Sequence, residues 1–280
     1  MIAEKLRKSI LQAAIECKLT EQLPENGDAR DLVEIIKKEK EELIKAGKIK
    51  KEKTLLEITE EEIPFDIPDN WCWVRLGDIS STITYSPKNI NSEGTIVLRS
   101  SNIQDNKLNF DDIVRGNMDI PPNKKAKEND ILICVRNGSK RLVGKAALID
   151  GDEYSFGAFM SIIRTPLYRY IYNYILSPYF RQDFDSVSTT TSNQITQSNL
   201  KSRLVPLPPV DEQIRISEKV NNILPRLSAL EEKEVLLNRI ETEFPNKLNI
   251  SILQLAMQGK LTEQLPEDGD AHDLLEKIKY

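Results

Sequence analysis

One stretch of the sequence occurs twice, once towards each end of the chain. Residues 9–37 read SILQAAIECKLTEQLPENGDARDLVEIIK, and residues 251–279 read SILQLAMQGKLTEQLPEDGDAHDLLEKIK. The offset is 251 − 9 = 242 residues, and most aligned positions are identical. Solenoid proteins stack adjacent copies at a short period, which these copies do not. The arrangement predicts one docking surface made twice, or one unit taken from a longer array. We call the copies the N-terminal repeat and the C-terminal repeat.

Between the repeats the pattern changes at about residues 61 and 208. The N-terminal repeat continues as an amphipathic helix, so residues 1–60 are predicted to be helical. Short apolar runs separated by Gly, Asn, Asp and Pro then predict strands and turns over 61–208, with a short helix at 177–184. A proline cluster at 206–209 closes this mixed α/β domain, and residues 209–280 are predicted to hold a long helix and the C-terminal repeat.

The long helix carries apolar residues at heptad spacing. These are Ile216, Val220, Ile223, Leu227, Leu230, Leu237 and Phe244. A helix buried alone would show a wider apolar stripe, so the spacing favours a helix-pairing seam of the coiled-coil kind. Pro225 is expected to kink the helix or to remove one hydrogen bond, and Pro245 to interrupt it.

The charge balance differs between the middle and the flanks of the chain. The net charge is -5, but residues 64–210 hold 17 Lys and Arg against 15 Asp and Glu, or +2. The remainder holds 39 − 17 = 22 basic and 44 − 15 = 29 acidic residues, or -7. The middle domain is therefore compatible with facing phosphates.

The sequence also indicates the compartment. No apolar run approaches the length of a membrane span, and the first residues lack the apolar core of a signal peptide. The three cysteines, Cys17, Cys72 and Cys134, are far apart and lack metal-ligand spacing. They are expected to be reduced, structural thiols of a cytoplasmic protein.

No catalytic constellation is visible. The chain lacks a nucleotide-binding P-loop, a glycine-rich dinucleotide fingerprint and the tetrapeptide of adenine methyltransferases. Its one histidine, His272, stands where the N-terminal repeat has Arg30, which indicates a surface residue and not a general base. The acidic cluster at 150–153 is better explained as a hairpin turn than as a metal site. We predict no enzymatic activity, no catalytic residue and no metal.

Polar residues suited to reading DNA follow two apolar strands and fill one uncharged loop. They are Arg99, Ser101 and Asn102 in the first segment, Arg136, Asn137, Lys140 and Arg141 in the second, and Thr190, Asn193, Gln194 and Gln197 in the third. Arg and Lys can bond guanine, Asn and Gln can bond adenine, and hydroxyls more often hold phosphates. Each segment alone could equally be an ordinary polar loop, and the sequence does not show whether the three converge.

Several segments, in this order, resemble the specificity subunits of type I restriction–modification enzymes. Residues 67–79, IPDNWCWVRLGDI, resemble the opening of a target recognition domain. Residues 129–149, NDILICVRNGSKRLVGKAALI, resemble an internal strand and turn, with Asn129 where the family usually has glycine. Residues 193–220, NQITQSNLKSRLVPLPPVDEQIRISEKV, resemble the closing segment, and the two repeats resemble the family's conserved region.

The resemblance implies a fold and a set of partners. The implied fold is α+β, with one target recognition domain at 61–208 and long conserved helices that form an antiparallel coiled-coil spacer. Family members bind double-stranded DNA, dock methyltransferase subunits through the conserved helices and are joined by a restriction or translocase subunit. Methyl transfer belongs to the partner, so the chain itself is expected to bind no cofactor.

This sequence differs from a full-length member because it has one recognition domain, flanked by both repeats. It resembles half of a subunit. A homodimer with two-fold symmetry is expected to supply the second recognition domain and to read a palindromic, interrupted site. Two alternatives remain. One is a helical adaptor or decoy that occupies methyltransferase subunits without reading DNA, and the other is an enzyme with divergent motifs.

Overall fold

A computed structural model describes residues 1–49, 54–87, 93–116, 120–151, 153–186, 193–263 and 265–279. The helices are α1 (Ile2–Ile15), α2 (Ala29–Lys45), α3 (Leu76–Ile79), α4 (Tyr168–Leu176), α5 (Pro178–Ser186), α6 (Gln197–Lys201), α7 (Val210–Met257) and α8 (Ala271–Ile278). The strands are β1 (Cys72–Arg75), β2 (Ser81–Ile83), β3 (Thr95–Leu98), β4 (Ile103–Gln104), β5 (Lys107–Leu108), β6 (Arg115–Gly116), β7 (Ile131–Cys134), β8 (Arg136–Asn137), β9 (Ala146–Leu148), β10 (Ser155–Phe156), β11 (Met160–Arg164), β12 (Asn193–Gln194) and β13 (Leu204–Leu207).

By internal contacts the chain divides into two compact units. One is Lys5–Pro225, and the other combines Met1–Glu4 with Arg226–Tyr280. The division differs from a boundary near residue 60, because the N-terminal repeat buries its apolar face in the same core as the strands of the first unit. The mixture of helices and strands with one long helix confirms the predicted α+β fold with a helical spacer.

A four-stranded antiparallel sheet, in the order β2-β11-β7-β9, lies at the centre of the first unit. Successive side chains of a strand point to opposite faces, and β7 uses both. Ile131 and Ile133 belong to one apolar cluster, whereas Leu132 and Cys134 belong to a second. This explains why the strand reads as a continuous apolar run, since a strand covered on both faces does not alternate.

The larger apolar cluster joins helices to a second, two-stranded sheet of β1 and β13. Its members come from α1, α2, α4, α5 and the first turns of α7 as well as from the strands. Among them are Leu11, Ala14 and Ile15 of α1 and Val33 of α2. The N-terminal repeat is therefore a structural part of this unit.

Helix α7 runs without interruption from Val210 to Met257, and the predicted interruption at Pro245 is wrong. A proline in a helix removes one backbone hydrogen bond, and its ring crowds the carbonyl four residues earlier, yet α7 continues on both sides of Pro245. Within the second unit, the carboxylate of Glu234 on α7 accepts bonds from the backbone N–H groups of Ile2 and Ala3, at 2.8 and 3.0 Å. These groups at the start of α1 have no partner within their own helix.

Asn129 shows how the sequence accommodates a departure from the family pattern. It precedes β7 with φ of 67°, in the left-handed region that favours glycine. Asn tolerates this conformation better than most residues, which explains why it can stand at this position. Its backbone N–H donates to the carbonyl of Ile149 at 3.0 Å.

The three cysteines are free thiols. Burial raises the pKa of Cys17 to about 12 and that of Cys72 to about 11, so both are protonated at neutral pH. Burial also raises the pKa of Cys134. Of the helices that the structure describes, none has the combination of length and apolarity needed to span a membrane.

Candidate nucleic-acid interface

Three polar segments that are distant in sequence meet just beyond the end of β7. Strand β8 pairs with β12, so that Asn137 lies opposite Asn193 and Arg136 lies opposite Gln194. The side-chain Nδ2 of Asn137 donates to Oγ of Ser100 at 3.2 Å, which connects the first segment to the other two. We call this group, Ser100, Arg136, Asn137, Asn193 and Gln194, the polar tip.

Backbone hydrogen bonds fix the polar tip to the buried sheet. Ile195 donates to the carbonyl of Val135 at 2.8 Å, and the N–H groups of Val135 and Arg136 both donate to the carbonyl of Phe159, at 2.9 and 3.2 Å. The guanidinium carbon of Arg136 lies 5.3 Å from the centroid of the Phe159 ring. Such a cation–π contact orients a cation on the surface. Sequence reasoning missed Phe159, although an exposed aromatic residue in a turn is a signal for it.

The turn after β8 is held by the side chains of two asparagines, one from β8 and one from β12. Oδ1 of Asn137 accepts from the N–H of Ser139 at 3.0 Å, and Nδ2 of Asn193 donates to the carbonyl of Gly138 at 3.0 Å. These bonds present the half-exposed Lys140 and the exposed Arg141 on a turn of 3₁₀ helix. A loop braced in this way is organised before a ligand arrives, which lowers the entropy cost of binding.

Arg181 of α5 also supports this turn, and sequence reasoning missed it. Its Nη2 donates to the carbonyls of Arg141 and Val143, at 3.2 and 3.3 Å. A cavity of about 520 Å³ opens beside the turn, with Lys140, Arg181, Asn193 and Gln194 in its lining. Arg203, Gln182, Asn199 and the carboxylate of Glu62 also line this cavity, so cations, amides and one acid surround the same space.

The first polar segment, with Arg99, Ser101 and Asn102, contributes fewer side chains to the polar tip than the sequence predicted. Asn102 is only 1% exposed. Its Oδ1 accepts from the N–H of Arg99, and its Nδ2 donates to the carbonyls of Asn109 and Asp112. Asn102 therefore closes a turn, and its side-chain amide is occupied by backbone partners. Ser101 is exposed, and Arg99 forms an ion pair with Asp112 at 2.7 Å.

The remaining candidates of the third segment are not part of the polar tip as described. Nε2 of Gln197 donates to Oγ1 of Thr84 at 3.0 Å, and the residue lines a different cavity that also includes Ser81 and Thr82. Thr190 lies outside the described residues. Within the part of the chain that the structure covers, no group of His, Cys, Asp or Glu is arranged to hold a metal ion.

The predicted seam of α7 divides into two stretches. Ile216 and Val220 are fully buried members of the large apolar cluster of the first unit, and they stabilise that unit. Leu230, Leu237 and Phe244 are exposed. Between these stretches, Ile223 is half-buried and Leu227 is buried.

Comparisons with known proteins agree on one family. A family model described as "Type I restriction modification DNA specificity domain" matches residues 68–242. The chain is 28% identical to the type I restriction enzyme EcoAI specificity subunit of Escherichia coli, over 98% of this chain and 55% of that protein. It is 27% identical to the EcoEI specificity subunit of Escherichia coli, over 99% of this chain and 54% of that protein.

One solved structure has a similar fold. It comes from work on the "complex assembly and conformational transition of the type I R-M system", and it aligns with a TM-score of 0.54 and 24% identity over 93% of this chain and 58% of that one. The chain spans about half the length of the curated relatives it matches. These relatives are named as specificity subunits, the component that the sequence predicted.

Proposed function

This chain belongs to the family of type I restriction modification DNA specificity domains, and from that premise we propose that it reads part of a base sequence in double-stranded DNA through the polar tip. The observation that carries the proposal is the convergence of three separate polar segments at the end of β7. In the proposed complex, methyltransferase subunits and a restriction or translocase subunit supply the chemistry, and this chain directs them to the site.

The side chains of the polar tip fit the chemistry of base edges and phosphates. An arginine can bond O6 and N7 of guanine, and an asparagine or glutamine can bond N6 and N7 of adenine. Hydroxyls such as that of Ser100 more often hold phosphates. Lys140 and Arg141 next to the tip add positive charge, which favours approach to the DNA backbone.

Selection from a pool of random duplexes tests DNA reading. We expect the chain to enrich one motif, and Arg136→Ala to weaken binding to the selected duplex by about 5- to 150-fold, the loss for one base contact of about 1–3 kcal/mol. Lys37→Ala is a matched control, because Lys37 is an exposed cation of α2 near Glu34.

Two outcomes would contradict this proposal. Equal losses for Arg136→Ala and Lys37→Ala would show that the polar tip is not the interface. Enrichment of no motif, together with tight binding of methyltransferase subunits, would favour the helical adaptor instead.

The second part of the proposal is a homodimer that reads a palindromic, interrupted site. Its support is the exposed apolar stripe of α7, where Leu230, Leu237 and Phe244 recur every seventh residue. Helices with this spacing pair through the apolar seam, and a two-fold pair would present two polar tips to one duplex.

Light scattering at micromolar concentration tests the homodimer, with the methyltransferase absent and present. We expect a dimer, and a weaker dimer for Leu237→Ala combined with Phe244→Ala. The control combines Asn238→Ala with Asn246→Ala, at exposed polar positions of the same helix. A monomer under both conditions would refute the homodimer and leave DNA reading by a single tip to be judged by the selection experiment.

A further inference from the structure

The two repeats have the same local backbone. Cys17 and its counterpart Gly259 have φ of 60° and 62°, and Gly27 and Gly269 have φ of 76° and 74°. The carboxylates that cap the following helices each accept from a backbone N–H two residues on, at 2.8 Å in both copies. At these described positions the C-terminal repeat therefore has the conformation that the N-terminal repeat adopts when it is packed.

Corresponding apolar side chains are buried in the N-terminal repeat and exposed in the C-terminal repeat. In the N-terminal repeat, Leu11, Val33 and Ile36 are 3%, 7% and 6% exposed. Their counterparts Leu253, Leu275 and Ile278 are 64%, 53% and 71% exposed. The same apolar face is thus docked in one copy and open to solvent in the other.

The N-terminal repeat lies in a groove whose polar contacts come from Asn70, Trp71, Glu212, Arg215 and Lys219, which we call the repeat-binding groove. The buried carboxylate of Glu212 accepts from Thr20, Gln22 and Trp71, at 3.0, 2.6 and 2.9 Å. Lys219 Nζ donates to the carbonyl of Leu19 at 2.8 Å, Arg215 Nη1 donates to Oδ1 of Asn26 at 2.9 Å, and the N–H of Ala29 donates to the carbonyl of Asn70 at 3.0 Å.

The C-terminal repeat retains the residues that make these contacts. Thr20, Gln22 and Ala29 correspond to Thr262, Gln264 and Ala271. The backbone carbonyl that would receive Lys219 belongs to Leu261, the counterpart of Leu19. A groove that binds one copy therefore has the hydrogen-bonding groups to bind the other.

One difference favours the C-terminal repeat as an occupant of the repeat-binding groove. Asn26 is buried against Arg215, and within the described part of the chain neither Nδ2 of Asn26 nor Nη2 of Arg215 has a hydrogen-bond partner. The C-terminal repeat has Asp268 at this position. A carboxylate would accept from both Nη1 and Nη2 in the bidentate geometry that arginine favours, and it would remove the donor that has no acceptor.

A second difference also favours the C-terminal repeat in the repeat-binding groove. Cys17 adopts a left-handed conformation, which is unfavourable for a residue with a Cβ atom. Gly259 adopts it without that cost. Both substitutions therefore favour the C-terminal repeat as an occupant of the repeat-binding groove.

We propose that the C-terminal repeat of one chain binds the repeat-binding groove of a second copy of this chain and displaces the N-terminal repeat there. Within a chain the groove is already filled by the N-terminal repeat, so we assign the C-terminal repeat to the groove of another molecule. Reciprocal exchange closes a two-fold dimer. This inference rests on the homodimer proposed above and assigns to it a specific contact.

Isosteric substitutions in the full-length chain test the exchange by sedimentation equilibrium. Asp268→Asn removes the bidentate pair from the exchanged state, and Asn26→Asp gives the competing N-terminal repeat the same pair. We expect each change to weaken the dimer about tenfold per groove, and thus about a hundredfold for two grooves, which is the range for replacing a charged by a neutral hydrogen bond. Asp273→Asn, an exposed acid of α8, is the matched control. Unchanged dissociation constants for both test variants would overturn the proposal.

A mixed cross-link shows which chain supplies the groove. One chain carries Asn70→Cys, the other carries Ala271→Cys, and the three native cysteines are replaced by serine in both. We expect a disulfide between the two chains, because Ala29 and Asn70 are in backbone contact, and no disulfide when Glu276→Cys replaces Ala271→Cys. A dimer without this cross-link would overturn the exchange while leaving the homodimer intact. A monomer would overturn both.

Discussion

Replacing Glu212 by glutamine removes the charge from a carboxylate that is completely buried and keeps its size. The carboxylate accepts three hydrogen bonds: Oε1 from Thr20 and Gln22, and Oε2 from Trp71. A glutamine has one oxygen, so two of the bonds become neutral ones and the third donor faces an NH₂ group. We expect the N-terminal repeat to pack less tightly against the rest of the first unit.

The magnitude follows from these contacts. A hydrogen bond to a charged group contributes about 1.5–3 kcal/mol and a neutral one about 0.5–1.5 kcal/mol, so two weakened bonds cost roughly 2 kcal/mol. A buried donor left without an acceptor costs about 1–3 kcal/mol more. The relief of desolvating a charge offsets part of this loss, and Trp71 retains a longer bond to Gln22 at 3.2 Å. The free energy of unfolding should fall by about 2–3 kcal/mol.

Urea unfolding followed by tryptophan fluorescence measures this loss. The chain has 2 tryptophans, Trp71 and Trp73, and both belong to the unit Lys5–Pro225, so fluorescence reports that unit alone. Glu218→Gln is the matched control, because Glu218 is exposed on the same helix. A Glu212→Gln variant within about 0.5 kcal/mol of this control, the range for surface changes, would refute the reasoning.

Three further predictions concern the same unit. Asn129→Gly should leave the urea midpoint unchanged or raise it, whereas Asn129→Val should cost about 1–2 kcal/mol, because only the valine is strained at φ of 67°. Asp28→Ala should cost about 1 kcal/mol by removing the cap of α2, while Asp31→Ala should cost less. A backbone bond from Arg30 lowers the pKa of Asp28, so this difference should be present at neutral pH and disappear as the pH falls through the lowered pKa. Because burial raises the pKa values of Cys17 and Cys72 to about 12 and about 11, native protein at pH 8 should react with iodoacetamide much more slowly than unfolded protein, as measured by mass spectrometry.

Local patterns in the sequence were sufficient to predict the main elements. The apolar run before residue 135 is a strand, the residues after Pro209 form a long helix, and the segment 177–184 lies largely within α5. The convergence of the polar segments was not predictable, because it depends on pairing between strands β8 and β12 that lie far apart in sequence. Composition indicated which residues were polar, and tertiary structure decided which of them meet.

The differences between sequence and structure have specific causes. Asn102 has the residue type of a base-reading side chain, but a short polar side chain can satisfy nearby backbone groups instead, and here it does so. Ile216 and Val220 have the spacing of a seam, yet spacing does not tell which partner covers an apolar face. In the structure the core of the first unit covers them.

The buried strand β7 is followed directly by the exposed polar tip, which has a consequence for how the proposed base preference can change. Up to Cys134 each side chain is enclosed on one face of the sheet or the other, and two residues later Arg136 lies in solvent. Substitutions in β7 disturb both apolar clusters. Substitutions in the polar tip disturb neither cluster. If the polar tip reads DNA as proposed, new base preferences would arise by exchange of a few residues beyond β7, with both apolar clusters left intact.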